Sequence, residues 1–415
     1  MLKRRKNVFE KLENSSIALF YSGYSRLKSN DQKFPFSVNR NFYYLTGINQ
    51  ENVVLMLVKG EKNIDEFLFL DEVDPVKALW DGATLSFEEA SKISGIKVEN
   101  IKKIAELDSF ISNIISVSRR AIFGDITYMY FDLDKEDTSG FLSRTEIIAN
   151  DFTKKYPFIS IKNSNRIMAS LRMKKDDQEV KLTNEAIKIT NKALQHVMKS
   201  LRPNMNESEI EAEYNYILNK NGVETSFDTI VASGKNGTVL HYVDNNDNIG
   251  NNELVLFDLG VKYGVYCSDI SRTYPANGTF TKRQKEIYEI VLDANKKTIA
   301  WLKPGLSMKE FNEYGKKILI DGLKKIGLIK DNDEITKYYY HSLGHYLGLD
   351  VHDVGLYEDN IPVGAIITVE PGLYIAEEAI GIRIEDNILI TEKGAINLSK
   401  DIIKEVNDIE EFMKK

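Results

Sequence analysis

The sequence lacks the residues that form covalent cross-links and the runs that cross membranes. It has one cysteine, Cys267, in 415 residues, which excludes an internal disulfide. No stretch approaches the roughly 20 apolar residues that a membrane-spanning helix needs. Four basic residues at 3–6 are followed by further charged residues, which is not the pattern of a secretory signal. We therefore expect a cytoplasmic protein with no membrane partner.

The sequence also lacks a dominant sign of charge. Its 55 basic and 62 acidic residues interleave along the chain and give a formal net charge of −7. Because no basic stripe is present to follow a phosphate backbone, we expect no nucleic-acid partner. A hydrophobic fraction of 42% is sufficient for large buried cores, and the length favours two domains or three.

Histidine is scarce but concentrated. The chain has only five, and three of them, His341, His345 and His352, fall in one short stretch. Polar motifs before and after this stretch add carboxylates at Asp258, Asp269, Glu370 and Glu385. Solubility or packing does not explain this concentration. It is typical of a metal centre with a substrate pocket beside it.

Residue periodicity predicts an α/β (α+β) protein whose first part is a mixed α/β domain. Strands are predicted at 17–21, 42–45, 52–58 and 66–70, and helices at 86–93, 101–117 and 144–155. The polar segment 173–178 suits a linker or the cap of the next helix. We expect a first domain over residues 1–165 and a second, catalytic domain over 172–415.

The second domain is predicted to alternate helices and strands. Helices are predicted at 179–201, from 206 onward, at 281–302 and at 308–326. Strands are predicted at 253–257 and 265–274, as a hairpin around 262–264, and at 365–370, 372–375 and 381–390.

The predicted hairpin would bring carboxylates together. Side chains alternate along a strand, so a hairpin can turn Asp258 and Asp269 toward one face. Glu385 and Arg383, two residues apart on a later strand, would also share a face. Glu370 precedes a Pro-Gly pair that fixes its position.

Four carboxylates with the imidazole of His345 suit two divalent cations better than one, because four negative charges balance two M²⁺ ions. Oxygen-rich ligation favours Mn²⁺, although Zn²⁺, Co²⁺ or Fe²⁺ would also fit. Any one of these residue types alone is more often structural than a metal ligand. Their order along the chain and their occurrence together favour the metal centre.

These motifs resemble a known family. The segments 340–355, 370–375 and 381–386 are similar to the histidine and closing motifs of the pita-bread metallopeptidases, and within them of the aminopeptidase P family. Residues 236–242 resemble that family's upstream histidine segment. The N-terminal segments 34–36 and 41–47 resemble the start of its non-catalytic domain. Ser342 departs from the Gly that many relatives carry, and we expect little effect.

The resemblance implies a pita-bread catalytic domain with a curved antiparallel sheet. It makes five residues the ligands of two metal ions: Asp258, Asp269, His345, Glu370 and Glu385. It also implies release of the first residue from peptides with proline at position two, by a homodimer or homotetramer.

Further roles follow from the same resemblance. Glu370 would also move a proton, and His241 would lie near the leaving nitrogen. His352 would donate toward the substrate carbonyl, and His341 and Tyr374 would shape the prolyl pocket. Arg383 would pair with acidic ligands or with a substrate carbonyl oxygen.

Two alternatives stay open. An Xaa-Pro dipeptidase would share the metal site but must recognise a free carboxylate after proline; the loop 355–363 carries Glu358 and Asp359 and no Lys or Arg, which does not favour it. A non-catalytic peptide-binding module would tolerate loss of ligands, and none is lost. Trp80 is a further candidate to reach an active site, from a neighbouring subunit.

Overall fold

A computed structural model of the chain describes residues 1–116, 120–133 and 140–414. The chain divides into two compact units, Met1–Leu171 and Arg172–Lys415. Among the described residues, no helix combines the length and apolar character that crossing a bilayer requires.

The first unit is built on a six-stranded mixed sheet. The described strands of this unit are β1 Ser16–Tyr21, β2 Leu27–Ser29, β3 Gln32–Lys33, β4 Val54–Lys59, β5 Ile64–Leu70, β6 Ile101–Lys103, β7 Tyr128–Phe131 and β8 Ser160–Asn163. The sheet order is β6-β5-β4-β1-β7-β8, while β2 and β3 form a separate pair. Strand β4 runs antiparallel to both β1 and β5, and the remaining pairs of the large sheet are parallel.

Helices cover this sheet. They are α1 Leu2–Lys11, α2 Arg40–Thr46, α3 Pro75–Asp81, α4 Phe87–Ser94, α5 Leu107–Ile115, α6 Arg120–Phe123, α7 Arg144–Lys155 and α8 Asn165–Arg172, the last ending at the start of the second unit. One buried cluster joins Ile17 and Leu19 of β1 to Ile111 of α5 and Phe152 of α7. Burial of these apolar side chains stabilises the sheet against the helices.

Over its described residues, 172–414, the second unit combines five α-helices with small antiparallel sheets. The helices are α9 Asp177–Ser200, α10 Glu207–Lys220, α11 Lys282–Trp301, α12 Met308–Lys325 and α13 Val406–Met413. The strands are β9 Glu224–Thr225, β10 Ile230–Ser233, β11 Leu254–Leu259, β12 Val261–Tyr263, β13 Tyr266–Cys267, β14 Ile270–Pro275, β15 Ile366–Val369, β16 Gly372–Ile375, β17 Ile380–Arg383, β18 Asp386–Thr391 and β19 Gly394–Asn397.

The described strand pairs of this unit are all antiparallel. The sheets are β10-β11-β14, β13-β12-β9, β15-β18-β19 and β16-β17. The largest core cluster packs Leu194 of α9, Tyr214 of α10 and Val291 of α11 against Phe257 of β11 and Ile382 of β17. The helices thus support the strands that carry the polar motifs.

Capping explains why the predicted helices of this unit begin where they do. The side chain of Asp176 accepts from the backbone N–H of Glu179, and the side chain of Glu179 accepts from the backbone N–H of Asp176. Helix α9 begins at Asp177, directly after this cap. The same reciprocal pair opens α10, α11 and α12. The predicted cap within 173–178 is therefore confirmed.

Two predictions for the first unit are wrong. Residues 42–45 form part of α2 and no strand: the Asn39 side chain caps Phe42, and Gly47 ends the helix with φ 73°. Local capping here outweighs the β propensity of an aromatic run. Within 101–117, a strand and a 3₁₀ turn come before α5 because Ile101 pairs with Leu68 of β5. Residue 117 lies outside the described residues.

Two strand predictions for the second unit need correction. Strands β11 and β14 do pair, with Leu254 opposite Pro275, but the residues between them form β12 and β13 in a different sheet. The predicted strand 381–390 is interrupted after Arg383, because the N–H of Ile384 donates to Pro371 O and that of Glu385 donates to Ser271 O. Glu385 therefore lies between two strands.

Candidate metal centre

Two aspartates enter the site from the β11–β14 pair. Asp258 lies next to the end of β11, opposite Ser271, and Asp269 immediately precedes β14. The side chain of Asn387 accepts from the Asp269 N–H at 3.2 Å and donates to its carbonyl at 2.6 Å. The main chain of Asp269 is therefore fixed by two hydrogen bonds from one buried amide.

His345 lies on a loop that runs beside β15. Thr368 N donates to His345 O at 2.9 Å, and Thr368 Oγ1 accepts from His345 N at 3.0 Å. A Cβ on Gly344 would stand 2.1 Å from Thr368 O, so only glycine allows this approach. Nδ1 of His345 donates to Tyr346 O at 3.0 Å, which leaves the lone pair of the neutral ring on Nε2.

Two glutamates complete the group from chain segments between strands. Glu370 lies between β15 and β16, where its Oε1 accepts from Thr368 Oγ1 at 3.2 Å. Glu385 lies between β17 and β18 and is 2% exposed. Each follows a strand by one or two residues, so its side chain points from a fixed backbone.

The ligand atoms converge. One atom from each of Asp269, His345 and Glu385 lies within 4.8 Å of the other two. Nε2 of His345 is 3.4 Å from Asp269 Oδ2 and 3.5 Å from Glu370 Oε1. Asp258 stands beside this group, bound through Oδ2 to Arg383 at 2.6 Å and through Oδ1 to Ser271 at 3.1 Å.

The electrostatics of the group favour a bound cation. Burial, with the nearby charges of Asp269 and Glu370, raises the pKa of Glu385 well above its ordinary value. Burial also raises the pKa of Glu370 to about 7 and that of Asp269 above its usual range. Burial lowers the pKa of His345, but Asp269 and Glu370 more than compensate and raise it to about 9. Divalent cations would displace these protons and offset the repulsion.

One carboxylate oxygen indicates where a metal ion would bind. Among the described residues, Oε1 of buried Glu385 has no hydrogen-bond partner. A buried carboxylate oxygen without a donor is costly, and a metal ion is the partner that this set of oxygen and imidazole donors suits. The residues present therefore fit a divalent metal ion.

The sequence-predicted site residues, except Tyr374 and Trp80, line one cavity of about 340 Å³. It is lined by Leu240, His241, Asp258, Asp269, His341, Ser342, His345, His352, Tyr357, Glu370, Arg383 and Glu385. His352 packs edge-on against His345 with ring centroids 4.2 Å apart. Burial, together with His345 and His241, lowers the pKa of His352, which favours its neutral form.

The segment before His241 approaches the strand of Arg383 closely. A Cβ on Gly381 would stand 1.8 Å from Gly237 O, so glycine allows this contact. His241 itself is exposed at the cavity. Ser342 is exposed too, so the structure accommodates its side chain.

A polar chain connects Arg383, Tyr374 and His341. Nη1 of Arg383 donates to the Tyr374 hydroxyl at 2.9 Å, and that hydroxyl lies 2.9 Å from His341 Nε2. His341 Nδ1 donates to Ser342 O at 2.7 Å, so Nε2 is the acceptor for Tyr374. Burial and the charge of Arg383 lower the pKa of His341 to about 4 and keep the ring neutral.

Arg383 is fully engaged within the site. Nε donates to Ser271 Oγ at 2.7 Å, Nη1 to Tyr374 and Nη2 to Asp258. Of the two predicted roles, pairing with an acidic ligand is the one that this geometry favours. The sequence did not single out Ser271 as a site residue, although it lies two residues from Asp269 and so on the same face of the predicted strand. Nothing in the sequence singled out Asn387 or Tyr357.

The antiparallel sheets, the buried carboxylates and the histidine are features of a hydrolase of the metallopeptidase class. Residues 181–392 match the model of Metallopeptidase family M24, and residues 1–123 match that of the Aminopeptidase P, N-terminal domain. The chain belongs to metallopeptidase family M24, and its second unit has the pita-bread fold that the resemblance implied.

Relatives match over nearly the whole chain. The Xaa-Pro aminopeptidase of Haemophilus influenzae is 35% identical and that of Escherichia coli 32%; each alignment covers 99% of this chain and 96% of the relative. A solved structure from Bacillus anthracis is 44% identical with a TM-score of 0.96, covering 99% of this chain and 97% of that one. Aminopeptidase P from E. coli with the inhibitor Pro-Leu is 31% identical with a TM-score of 0.88 and the same coverage.

Proposed function

We propose that this chain is a metal-dependent Xaa-Pro aminopeptidase that releases the first residue of peptides with proline at position two. The observation that carries the proposal is the convergence of Asp269, His345 and Glu385 within 4.8 Å in the wall of a cavity. The relatives named Xaa-Pro aminopeptidase, aligned over almost the full chain, supply the substrate class.

We propose further that the site holds two divalent cations. The residues that would hold them are Asp258, Asp269, His345, Glu370 and Glu385. Two M²⁺ ions neutralise four carboxylates, and the oxygen-rich set favours Mn²⁺ over Zn²⁺, Co²⁺ or Fe²⁺. When bound, these ions would supply Lewis acidity at the scissile carbonyl and lower the pKa of a water molecule.

The chain's own residues then orient the peptide and move the proton. Thr368 holds one oxygen of Glu370 and thereby fixes the carboxylate that carries a proton toward the leaving nitrogen. His352 faces the same cavity and donates toward the substrate carbonyl, and His241 lies near the leaving nitrogen. Proline has no N–H, so recognition depends on the shape of the pocket.

The prolyl pocket is assigned to His341 and Tyr374. Both ring nitrogens of His341 are engaged, by Ser342 O and the Tyr374 hydroxyl, so the ring offers its face and edge to substrate. Arg383 orients Tyr374 from behind and neutralises Asp258. The pocket is therefore held rigid by a continuous set of hydrogen bonds.

An Xaa-Pro dipeptidase is the runner-up and is less favoured by the cavity. Such an enzyme needs a cation for the carboxylate that follows proline. Of the described residues that line the cavity, Arg383 is the only Lys or Arg, and all its side-chain nitrogens are already engaged. A non-catalytic binding role has no specific observation in its favour.

Three broader features belong to the same proposal. The first domain, at 1–165, is non-catalytic and the domain at 172–415 carries the activity. The enzyme is a homodimer or homotetramer, in which Trp80 of α3, 86% exposed, is available to a neighbouring subunit. It works in the cytoplasm, where a single unpaired cysteine is at no disadvantage.

A peptidase assay tests the proposal. Purified full-length protein, stripped of metal and supplied with Mn²⁺, is incubated with Xaa-Pro-Xaa tripeptides, Xaa-Pro dipeptides and an Xaa-Ala-Xaa control. We expect Mn²⁺-dependent release of the first residue from the proline tripeptides alone, abolished by a chelator. Preferential cleavage of dipeptides would establish the dipeptidase alternative. Absence of hydrolysis with added Mn²⁺ would favour the non-catalytic binding role.

A further inference from the structure

Asn295 connects two ligand-bearing segments from outside the metal centre. It is a fully buried residue of α11. Its amide nitrogen Nδ2 donates to Val369 O at 3.1 Å and to Ile384 O at 3.2 Å. Val369 ends β15 and Ile384 follows β17, in two different sheets. One side chain therefore joins two sheets that make no ladder with each other at these residues.

The position of the two carbonyls gives this link its importance. Val369 immediately precedes Glu370, and Ile384 immediately precedes Glu385. Both proposed ligands thus leave the backbone one residue after an atom that Asn295 holds. The hydrogen bonds of Glu370 N to Leu343 O and of Glu385 N to Ser271 O fix the other side of each peptide.

The orientation of the Asn295 amide is determined by its third partner. Nζ of Lys404 donates to Asn295 Oδ1 at 2.7 Å, and lysine has no acceptor. The oxygen must therefore face Lys404 and the NH₂ group must face the two carbonyls. Lys404 in turn pairs with buried Asp386, which also binds Arg272, and Arg272 Nη1 donates to Glu385 O at 2.5 Å. The network therefore binds the carbonyl oxygens of both Ile384 and Glu385.

We infer that Asn295 is a positioning residue that sets the separation between the carboxylates of Glu370 and Glu385. Metal ions tolerate only small errors in ligand position, and partners beyond the ligands commonly change metal affinity 10–100-fold when removed. The inference rests on the proposed metal site and adds a residue that touches neither metal nor substrate. Without the amide, the two segments keep the hydrogen bond from Ile384 N to Pro371 O but lose the link that joins Val369 O to Ile384 O.

The test measures metal binding without reference to activity. Asn295→Leu keeps the approximate volume and removes all three hydrogen bonds, while Asn295→Asp keeps the acceptor for Lys404 and puts a carboxylate oxygen against the two carbonyls. We expect metal-free full-length protein with either change to bind Mn²⁺ about 10-fold more weakly by calorimetry. We also expect altered positions and intensities of the visible bands of the Co²⁺-loaded protein.

Thr298→Val is the matched control. It lies one turn further along α11, is fully buried, and among the described residues its hydroxyl has no hydrogen-bond partner. We expect it to leave Mn²⁺ affinity and the Co²⁺ spectrum unchanged, whatever it does to stability. If neither Asn295 variant folds, Lys404→Met, which frees the amide to rotate, replaces them and is expected to weaken Mn²⁺ binding in the same direction.

The outcomes separate this inference from the function on which it rests. Wild-type affinity and spectrum in a folded Asn295 variant, even one with a lower melting temperature, would overturn the positioning role while leaving the metal site intact. Failure of the wild-type protein to bind Mn²⁺ or Co²⁺ would overturn the metal site, and the inference with it.

Discussion

Ser271 shows how one small residue organises three charged groups. Its hydroxyl accepts from Arg383 Nε at 2.7 Å and lies 2.8 Å from Glu385 Oε2 and 3.1 Å from Asp258 Oδ1. A hydroxyl has a single hydrogen, so it donates to one carboxylate at a time, and the shorter distance favours Glu385. Ser271 therefore holds a proposed ligand on one side and the guanidinium on the other.

Ser271→Ala is expected to weaken Mn²⁺ binding by roughly 10–100-fold, because the carboxylate of Glu385 loses the hydroxyl donor that orients it. The buried Nε of Arg383 also loses its acceptor, at a cost of about 1–3 kcal/mol in the free energy of unfolding. Calorimetric titration and urea unfolding measure the two effects. The same change at buried Ser164, which bonds Phe131 O in the first unit, is the control for Mn²⁺ affinity. Equal affinity in both variants would show that the shared hydroxyl is unimportant.

Glu370→Gln tests the proposed proton transfer by Glu370 while leaving the fold unchanged. The amide occupies the same space but cannot carry a proton, so kcat on a proline tripeptide is expected to fall roughly 10²–10⁴-fold while the circular dichroism spectrum is unchanged. Glu392→Gln, at an exposed glutamate, is the matched control and should retain full activity. Retained hydrolysis in Glu370→Gln would remove the proposed proton role.

At the scale of elements, a buried ion cluster holds the segment of His352. The next residue, Asp353, pairs with Arg172 and, at 2.9 Å, with Lys175. These three side chains are at most 3% exposed. Breaking a buried pair by removing one partner is strongly destabilising, because the remaining charges are left uncompensated. The cluster therefore ties the start of the second unit to a loop of the active site.

Asp353→Asn should lower the free energy of unfolding at pH 7 by about 3–5 kcal/mol, since buried Lys175 loses its counter-charge and buried Arg172 keeps only the partly exposed Asp350 of its two acidic partners. Urea unfolding of wild type and variant measures the difference. Asp359→Asn, in the exposed part of the same loop, should have little effect. Equal stability of wild type and Asp353→Asn would show that the cluster contributes nothing.

The ion cluster of Asp353 with Arg172 and Lys175 also predicts that the free energy of unfolding depends on pH. Burial raises the pKa of Asp353, but Arg172 and Lys175 outweigh it and lower the pKa below its ordinary value. A carboxyl with a lowered folded-state pKa stabilises the fold at pH values above its unfolded pKa of about 3.9. That contribution is lost as the pH falls through the lowered value. The stability difference between wild type and Asp353→Asn should therefore narrow below about pH 4, and a constant difference would contradict this assignment.

The elements also show where sequence reasoning is reliable. Helices α9 to α12 were predicted because each combines apolar periodicity with a reciprocal cap, and both signals are local. Residues 42–45 were misassigned because an aromatic run suits either a strand or a buried helix face. The interruption of the strand at Glu385 depends on hydrogen bonds to Pro371 and Ser271, which are distant in sequence. No local pattern could have revealed them.

At the scale of the whole molecule, the ligands come from distant parts of one unit. Asp258 and Asp269 enter from one sheet, while Glu370 and Glu385 leave two others. The motifs predicted which residues take part, because they are recognisable along the chain. Which residues hold them in place, such as Asn295 and Asn387, depends on packing between α11 and β15 to β18. Sequence alone therefore predicted the proposed ligands but not the residues that hold them in place.

A centre assembled from several sheets should also stabilise the unit that it joins. Mn²⁺ is expected to bind the native arrangement of Asp269, His345 and Glu385, and the unfolded chain offers no such arrangement. At about 100 times its dissociation constant, Mn²⁺ should add about 2.7 kcal/mol to the free energy of unfolding. Differential scanning calorimetry of the metal-free and Mn²⁺-loaded protein should show the transition of Arg172–Lys415 raised by roughly 5–10 °C.

The histidines provide the control for this last effect. His345→Ala removes a proposed ligand and should abolish the Mn²⁺-dependent rise in melting temperature. His196→Ala should preserve it, because His196 lies on α9 and pairs with Glu213 on α10, where it contributes nothing to the cavity. Since chain, tag and buffer are common to both variants, a rise retained in His345→Ala or lost in His196→Ala would locate the stabilising metal somewhere other than this centre.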